Sequence, residues 1–228
     1  MASKNWQEQF DLETNETKQQ MLSYLLANLD KTVSVRITLE ALEELKKSDY
    51  KLCFAKKVGD FEYNVVWQSY TNYLHNNYFS WKPMYQLFGS NKFEGNLVVH
   101  AMTNFVRIGL GQTSVLSRSG ILSDPITSGP DTSITMQNNY GSIHPGISQF
   151  SESNMGGAST STPIYVAERP VFKGEVQLTP VEKVLIWFEQ NIETGTMFST
   201  ARSLEIEVDL TYDNSKALEY TGDKWVFI

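Results

Sequence analysis

Hydrophobic and polar residues alternate along most of the chain with the period of two that is typical of half-buried β-strands. Val33, Val35 and Ile37 fall on one side of a predicted strand over residues 32–38. Further strands are predicted over residues 50–55, 61–70, 96–110, 184–188 and 204–210. About eight to eleven strands joined by short turns predict a mainly β protein, built as an antiparallel β-sandwich or a flattened barrel.

Two segments near the start of the chain show helical spacing instead. The first is predicted over residues 16–29, inside an N-terminal helical segment at 1–30, because its apolar residues form one stripe: Met21, Leu22, Leu25, Leu26 and Leu29. The second follows Thr38, a plausible N-cap, and runs from Leu39 with acidic residues first and basic residues last, which suits the helix dipole.

Composition narrows the classes of protein that fit this pattern. The chain has 228 residues, is 41% hydrophobic and carries a net charge of −7. It is too apolar for a disordered protein, lacks an apolar run long enough for a transmembrane helix, and is too acidic for a general nucleic-acid binder. We expect one β-rich domain over 1–228. It would be made in the cytoplasm, because the polar N-terminus does not resemble a signal peptide, and could act after release from the cell.

No catalytic or metal-binding motif stands out in the sequence. Its three histidines lack metal-ligand spacing, and no nucleophile-elbow, phosphate-loop or dinucleotide motif occurs. Cys53 is alone, so it cannot form an intramolecular disulfide, and it is expected to fill the core. We therefore expect no enzyme activity, no cofactor and no metal. The alternative is a glycoside-hydrolase-like enzyme that uses His100 or the carboxylate row of Glu205, Glu207 and Asp209.

Aromatic residues are concentrated between Tyr63 and Phe88, where nine of them fall among amides and hydroxyls. Tyrosine and tryptophan present a flat apolar face with a polar tip, which suits sugars and lipid headgroups. One interpretation is that these rings fill the core. The other is that residues 73–81 form a loop and that six side chains bind a ligand: Tyr73, Asn76, Asn77, Tyr78, Trp81 and Tyr85.

The segment over 117–163 is rich in Ser, Thr and Gly and carries only four charged residues. It is predicted as a long insertion, either a surface connection or a segment that enters a membrane as paired strands. Alternation of apolar and polar residues makes four of its residues the candidates for membrane insertion: Ser133, Ile134, Thr135 and Met136.

This layout, a leading amphipathic helix before a β-sandwich with an aromatic cluster, resembles the actinoporin-type cytolysins and the lectins that share their scaffold. The resemblance implies a toxin or defence protein that binds membrane lipid or cell-surface glycan, assembles into homo-oligomers and forms pores. The chain departs from those cytolysins in its greater length and its acidity, so no residue role is carried over. The alternatives are a soluble carbohydrate-binding lectin, the hydrolase above, and a storage or structural protein.

Overall fold

The computed structural model describes residues 30–60, 62–156, 160–198 and 204–228. The helix predicted over 16–29 lies outside these described residues. Within them the chain forms one helix, α1 (Leu39–Lys47), and fifteen strands, more than the sequence predicted. The strands are β1 (Lys31–Ile37), β2 (Lys51–Val58), β3 (Gln68–Tyr70), β4 (Asn76–Ser90), β5 (Val106–Ile108), β6 (Gln112–Leu116), β7 (Ile126–Thr127), β8 (Ile134–Asn138), β9 (His144–Ser153), β10 (Thr160–Val166), β11 (Gly174–Leu178), β12 (Pro180–Glu189), β13 (Ile206–Asp209), β14 (Ser215–Tyr220) and β15 (Trp225–Phe227).

The strands form three sheets, so the prediction of a mainly β protein is confirmed. The seven-stranded sheet has the order β10-β9-β4-β1-β14-β15, and β5 pairs with β4. One four-stranded sheet has the order β11-β8-β6-β7 and the other β13-β12-β2-β3. None of the three closes on itself, so the flattened barrel is not the architecture of the described residues. The single helix, α1, is too short and too polar to span a membrane, and no other helix occurs in these ranges.

The start of the described chain follows the sequence prediction closely. Val33, Val35 and Ile37 of β1 are buried, while Ser34 and Arg36 are exposed on the opposite face of the sheet. The helix α1 begins after Thr38, whose side chain accepts a hydrogen bond from the backbone of Ala41 at 3.4 Å. This cap satisfies one of the amide groups that a helix leaves unpaired at its first turn.

Residues 73–81 were predicted as a loop, and this prediction is wrong. Asn76 begins β4, which is fifteen residues long and pairs with both β1 and β9. The two consecutive asparagines at 76 and 77 suggested a turn. In the strand, however, Asn77 faces inward and pairs its side chain with the backbone of Val35 and Leu74. Backbone groups thus replace water as the hydrogen-bond partners of the Asn77 amide, so its burial costs little free energy.

Two other predicted strands are shorter than expected. Only Val106–Ile108 is a strand within 96–110, and only Gln68–Tyr70 within the described part of 61–70. Isolated bridges involving Val65 and Val98 satisfy part of the remaining backbone. Val65, Val66 and Trp67 are buried in irregular backbone, which a pattern of alternation cannot distinguish from a strand. In the other stretch, the large apolar residues before β5 are exposed: Leu97, Val98, Met102 and Phe105.

The part of segment 117–163 that follows residue 132 contributes to the interior, so the expectation of a surface connection is wrong there, whereas most of residues 117–132 are exposed. Its strand β9 pairs with β4 along nine positions, and β8 lies between β11 and β6. Its small residues allow close packing: a Cβ atom at Gly146 would lie 2.3 Å from Cζ of Phe88. Low charge in this segment therefore reflects burial of its strands between neighbours.

The inner face of the seven-stranded sheet packs against the sheet that contains β2 and β12. The rings of Phe54 on β2 and Phe79 on β4 stack with centroids 4.2 Å apart. Trp67 meets Phe79 edge to face at 4.9 Å and donates a hydrogen bond to the backbone of Gln149 at 3.2 Å. Aromatic contacts of this kind add roughly 0.5–1.5 kcal/mol each to the burial of the rings.

An ion pair within the sheet of β2 and β12 also contacts the seven-stranded sheet. The ammonium of Lys56, whose side chain is 0% exposed, lies 2.7 Å from Oε2 of Glu182. Trp81 on β4 donates its Nε1–H to that oxygen at 2.7 Å, and its ring lies 4.7 Å from the Lys56 ammonium. Burial lowers the pKa of Lys56. Burial acting alone would raise the pKa of Glu182, but Lys56 and Trp81 outweigh it and lower that pKa.

Removing Lys56 will be far more costly than removing its neighbour in sequence. We expect Lys56→Ala to lower the free energy of unfolding by about 3–5 kcal/mol, because it leaves the Glu182 carboxylate buried without its cation. Lys57→Ala removes an ion pair to Glu207 at 3.7 Å on the surface and should cost less than about 1 kcal/mol. Urea denaturation of both variants measures the difference, and equal losses would contradict the assigned role of Lys56.

Candidate functional site

The structure separates the six predicted ligand-binding residues into buried and exposed sets. Tyr73, Asn77, Trp81 and Tyr85 are buried, with exposures of 4% or less, so their expected exposure is wrong. Asn76 and Tyr78 are exposed on the other face of the sheet, and Tyr78 is 45% exposed. The physical reason is the period of two along β4, which sends alternate residues to opposite faces.

Each buried ring has a structural partner. The hydroxyl of Tyr73 donates a hydrogen bond to the backbone oxygen of Tyr50 at 2.8 Å, and burial raises its pKa. Burial, followed by the charge of Glu182, raises the pKa of Tyr85 well above its ordinary value. These hydroxyls are therefore neutral, and their rings belong to the core that joins the sheets.

The four candidates for membrane insertion are also buried. Ser133, Ile134, Thr135 and Met136 are at most 2% exposed, and the last three belong to β8, the strand between β11 and β6. Entry of these residues into a membrane would require β8 to separate from both neighbours. Membrane insertion of this segment stays a prediction.

The carboxylates considered for hydrolysis lie among lysines on the outer side of β13. Glu207 accepts a hydrogen bond from the Tyr63 hydroxyl at 2.9 Å and lies 3.5 Å from the ammonium of Lys183. Asp209 lies 3.1 Å from Lys183, and its pKa is lowered to about 2, first by the hydrogen bonds of Thr211 and then by Lys183. Asp209 thus stays ionised beside Lys183, whereas a general acid needs a raised pKa.

No group of three or more His, Cys, Asp or Glu side chains suited to a metal ion occurs in the described ranges. Two of the histidines hydrogen bond to backbone carbonyl oxygens: His75 to Ile37 at 2.6 Å and His144 to Ala167 at 2.7 Å. His100 is exposed in the irregular stretch after β4.

The exposed residues define a different candidate site, the outer face of the seven-stranded sheet. Ser34 on β1 lies between Tyr78 on β4 and Ala217 on β14 in the strand register. One register step along, Arg36 lies between Asn76 and Glu219, to which its guanidinium is paired. Small side chains in the centre of this face leave the backbone shallowly covered and accessible.

An open hollow of about 630 Å³ lies beside this face, at the edge of the sheet where Phe227 of β15 pairs with the buried Leu218 of β14. It is lined by hydroxyl groups, a carboxylate, an ammonium and an exposed ring, from Ser34, Ser215, Asp213, Lys216 and Phe227, together with Ala217 and Ile228. This set combines hydrogen-bond donors, acceptors and an apolar plane on a rigid support.

Local contacts hold the polar groups of the hollow in place. The ammonium of Lys31 donates to the backbone oxygen of Asp213 at 2.8 Å and to the side chain of Asn214 at 3.0 Å. Lys216 lies 3.3 Å from the Asp213 carboxylate and 5.9 Å from the centre of the Phe227 ring, which is 53% exposed. The turn before β14 is therefore fixed by a lysine of β1, and the carboxylate is anchored without being buried.

Sequence reasoning missed this hollow, although one signal was present. The chain ends in Val226, Phe227 and Ile228, three consecutive apolar residues. A strand alternates its faces, so three adjacent residues cannot all face the core, and each of these is exposed.

Comparisons with family models, curated proteins and solved structures find no match for this chain. Its fold and its candidate site are therefore described on their own geometry.

Core and surface aromatic residues of β4 should respond differently to truncation. We expect Trp81→Ala to lower the free energy of unfolding by about 3–5 kcal/mol, because it opens a cavity and removes a hydrogen bond from Glu182. Tyr78→Ala should change it by less than about 1 kcal/mol, because that ring is half exposed. Thermal unfolding followed by circular dichroism tests the pair. A small effect of Trp81→Ala would restore the surface interpretation of the aromatic segment.

Proposed function

We propose that this protein is a non-enzymatic recognition protein of toxin or defence type that binds cell-surface glycan at the open hollow where β14 and β15 meet at the edge of the seven-stranded sheet. The observation that carries the proposal is the open hollow beside Phe227, where hydroxyl and carboxylate groups surround an exposed ring. Sugars present an apolar C–H face and an equatorial rim of hydroxyl groups, and this arrangement complements both.

Several features favour a sugar over an anionic surface. Asp213 lies in the turn before β14 and Glu219 on the outer face of that strand, and the whole chain has 26 acidic against 19 basic residues. The cations Arg36 and Lys216 are each paired with one of these carboxylates. A neutral ligand that donates hydroxyl hydrogens suits this balance of charge better than a phosphate-rich one.

A finer description of the fold belongs to the same proposal. We infer that the seven-stranded sheet and the sheet of β2 and β12 are the two layers of a β-sandwich. The stacking of Phe54 on Phe79 and the contact of Lys56 with Trp81 support this arrangement, because each joins one sheet to the other. Such a scaffold holds the outer face of β1 and β14 rigid, which lowers the entropy lost on binding.

Glycan binding should depend on the ring and the carboxylate in the hollow. We expect binding on a glycan array, and we expect Phe227→Ala and Asp213→Asn each to weaken it by about tenfold, because one removes the apolar plane and the other a charged acceptor. Phe172→Ala is the matched control, since this ring is 69% exposed but belongs to the segment before β11. Equal losses in Phe172→Ala and Phe227→Ala, or the absence of any glycan bound, would refute the proposal.

Membrane association is the second candidate, and two exposed leucines favour it. Leu39, at the start of α1, is 70% exposed, and Leu74, in the turn before β4, is 56% exposed. Both turns meet at one end of β1, because Ile37 hydrogen bonds to the backbone of His75. Paired leucines at one tip could enter the interfacial region of a bilayer.

Liposome experiments distinguish this candidate from a lectin that never enters the bilayer. We expect the protein to sediment with phosphatidylcholine liposomes and the double variant Leu39→Ser, Leu74→Ser to bind at least about tenfold more weakly, because each leucine buries apolar area. Ile126→Ser is the control, since this residue is 60% exposed on β7. Dye release tests pore formation in the same samples. Neither sedimentation nor leakage with any lipid would exclude the membrane candidate.

A further inference from the structure

A second hollow, of about 280 Å³, lies between α1, the end of β12 and the end of β14. Its walls include the aromatic residues Tyr50, Phe188 and Tyr220 and the carboxylate of Glu44. The volume is close to the lower end of small-molecule sites, which span about 300–1,000 Å³. It shares no lining residue with the hollow beside Phe227.

The aromatic wall of this hollow is held by ring contacts on its far side. The centroids of Phe188 and Tyr220 are 4.8 Å apart, and Trp225 lies 4.9 Å from Tyr220. Tyr73 meets Phe188 edge to face at 5.6 Å, and the Trp225 indole donates a hydrogen bond to the backbone of Leu204 at 2.8 Å. The rings are thus preorganised and need little rearrangement to accept a ligand.

The charge around the hollow is negative. Glu44 is the one acidic or basic residue among the described residues that line it, and its side chain is on the exposed side of α1. Burial raises the pKa of Tyr220, and Tyr50, Asp223 and Glu44 raise it further, as expected where negative groups converge.

Lys46, a lysine of α1, makes its contacts outside the hollow. The ammonium of Lys46 donates a hydrogen bond to the backbone oxygen of Thr71 and lies 3.9 Å from the centre of the Tyr73 ring. This contact shows that the aromatic cluster accepts a cation where one can reach it. Lys46 does not line the hollow. No Lys or Arg is therefore found among the described residues that line it beside the Glu44 carboxylate and the rings.

We propose that this hollow binds a methylated ammonium group, such as that of choline. Such a cation is large, weakly hydrated and unable to donate strong hydrogen bonds, so aromatic faces and one carboxylate at the rim replace its water at low cost. Ordinary ammonium groups keep their water more strongly and are expected to bind less well. The site is independent of the glycan-binding face, so either can fail without the other.

Two probes of the same shape test the role of charge. Saturation-transfer NMR on the full chain compares choline with 3,3-dimethylbutan-1-ol, in which a carbon replaces the charged nitrogen. We expect saturable binding of choline and at least about fivefold weaker binding of the neutral alcohol, as a cation–π contact of about 1 kcal/mol implies. No saturable binding of choline, or equal affinity for both probes, would overturn the proposal.

Two adjacent glutamates supply matched variants. Glu44→Gln should weaken choline binding by about threefold or more, since it removes the carboxylate of the hollow. Glu43→Gln makes the same change of charge one position away on α1, at a residue that is exposed and does not line the hollow, and should leave affinity unchanged. Equal effects of the two variants would refute a local site, and unchanged melting temperatures would show that the fold is intact.

A third variant and a second form of the ligand complete the test. Phe188→Leu removes one ring while keeping an apolar side chain, and should reduce the preference for choline over the alcohol even where stability falls. A preference that persists would contradict the role of the ring. Phosphatidylcholine vesicles then identify the source of the group. Binding to vesicles that Glu44→Gln weakens supports a lipid headgroup, and binding of free choline alone supports a soluble ligand.

Discussion

The ion pair between Lys56 and Glu182 is the contact on which the arrangement of the sheets depends. Both charges come from one sheet, and the carboxylate also accepts the indole hydrogen of Trp81 from the other. A buried charge is tolerated only with its partners in place, so this network admits one relative position of β2, β12 and β4. Stacked rings such as Phe54 and Phe79 restrict the relative position of the sheets less, because apolar burial is non-directional whereas an ion pair requires a set geometry.

That constraint determines which aromatic residues remain for recognition. Since β4 is paired on both edges and packed on its inner face, its buried rings are committed to the core. Only the outward positions, such as Tyr78, stay accessible. The concentration of aromatic residues between 63 and 88 is therefore mainly a property of a central strand, and the surface chemistry has to come from other parts of the chain.

The class of fold was predictable from the sequence, because β1, α1 and β13 each show a regular period over several residues and β12 contains a continuous apolar run. The location of the site was not. Asn77 is polar and buried, since its amide finds backbone partners that no local pattern reveals. Segment 117–163 is poorly charged because its strands are enclosed by neighbours distant in sequence, and such pairing depends on tertiary contacts.

The parallel pairing of β1 with β14 brings the two ends of the described chain together, and both proposed sites depend on it. Ser34 lies beside Ala217 in the outer hollow, and Ile37 lies beside Tyr220 next to the aromatic hollow. The paired residues of β1 and β14 are separated by more than 180 positions, and neither strand contains a recognisable motif. A parallel pair needs a long connection, and here the rest of the fold supplies it. Both sites therefore depend on contacts between residues distant in sequence, whereas the aromatic contacts around β4 involve residues much closer in sequence.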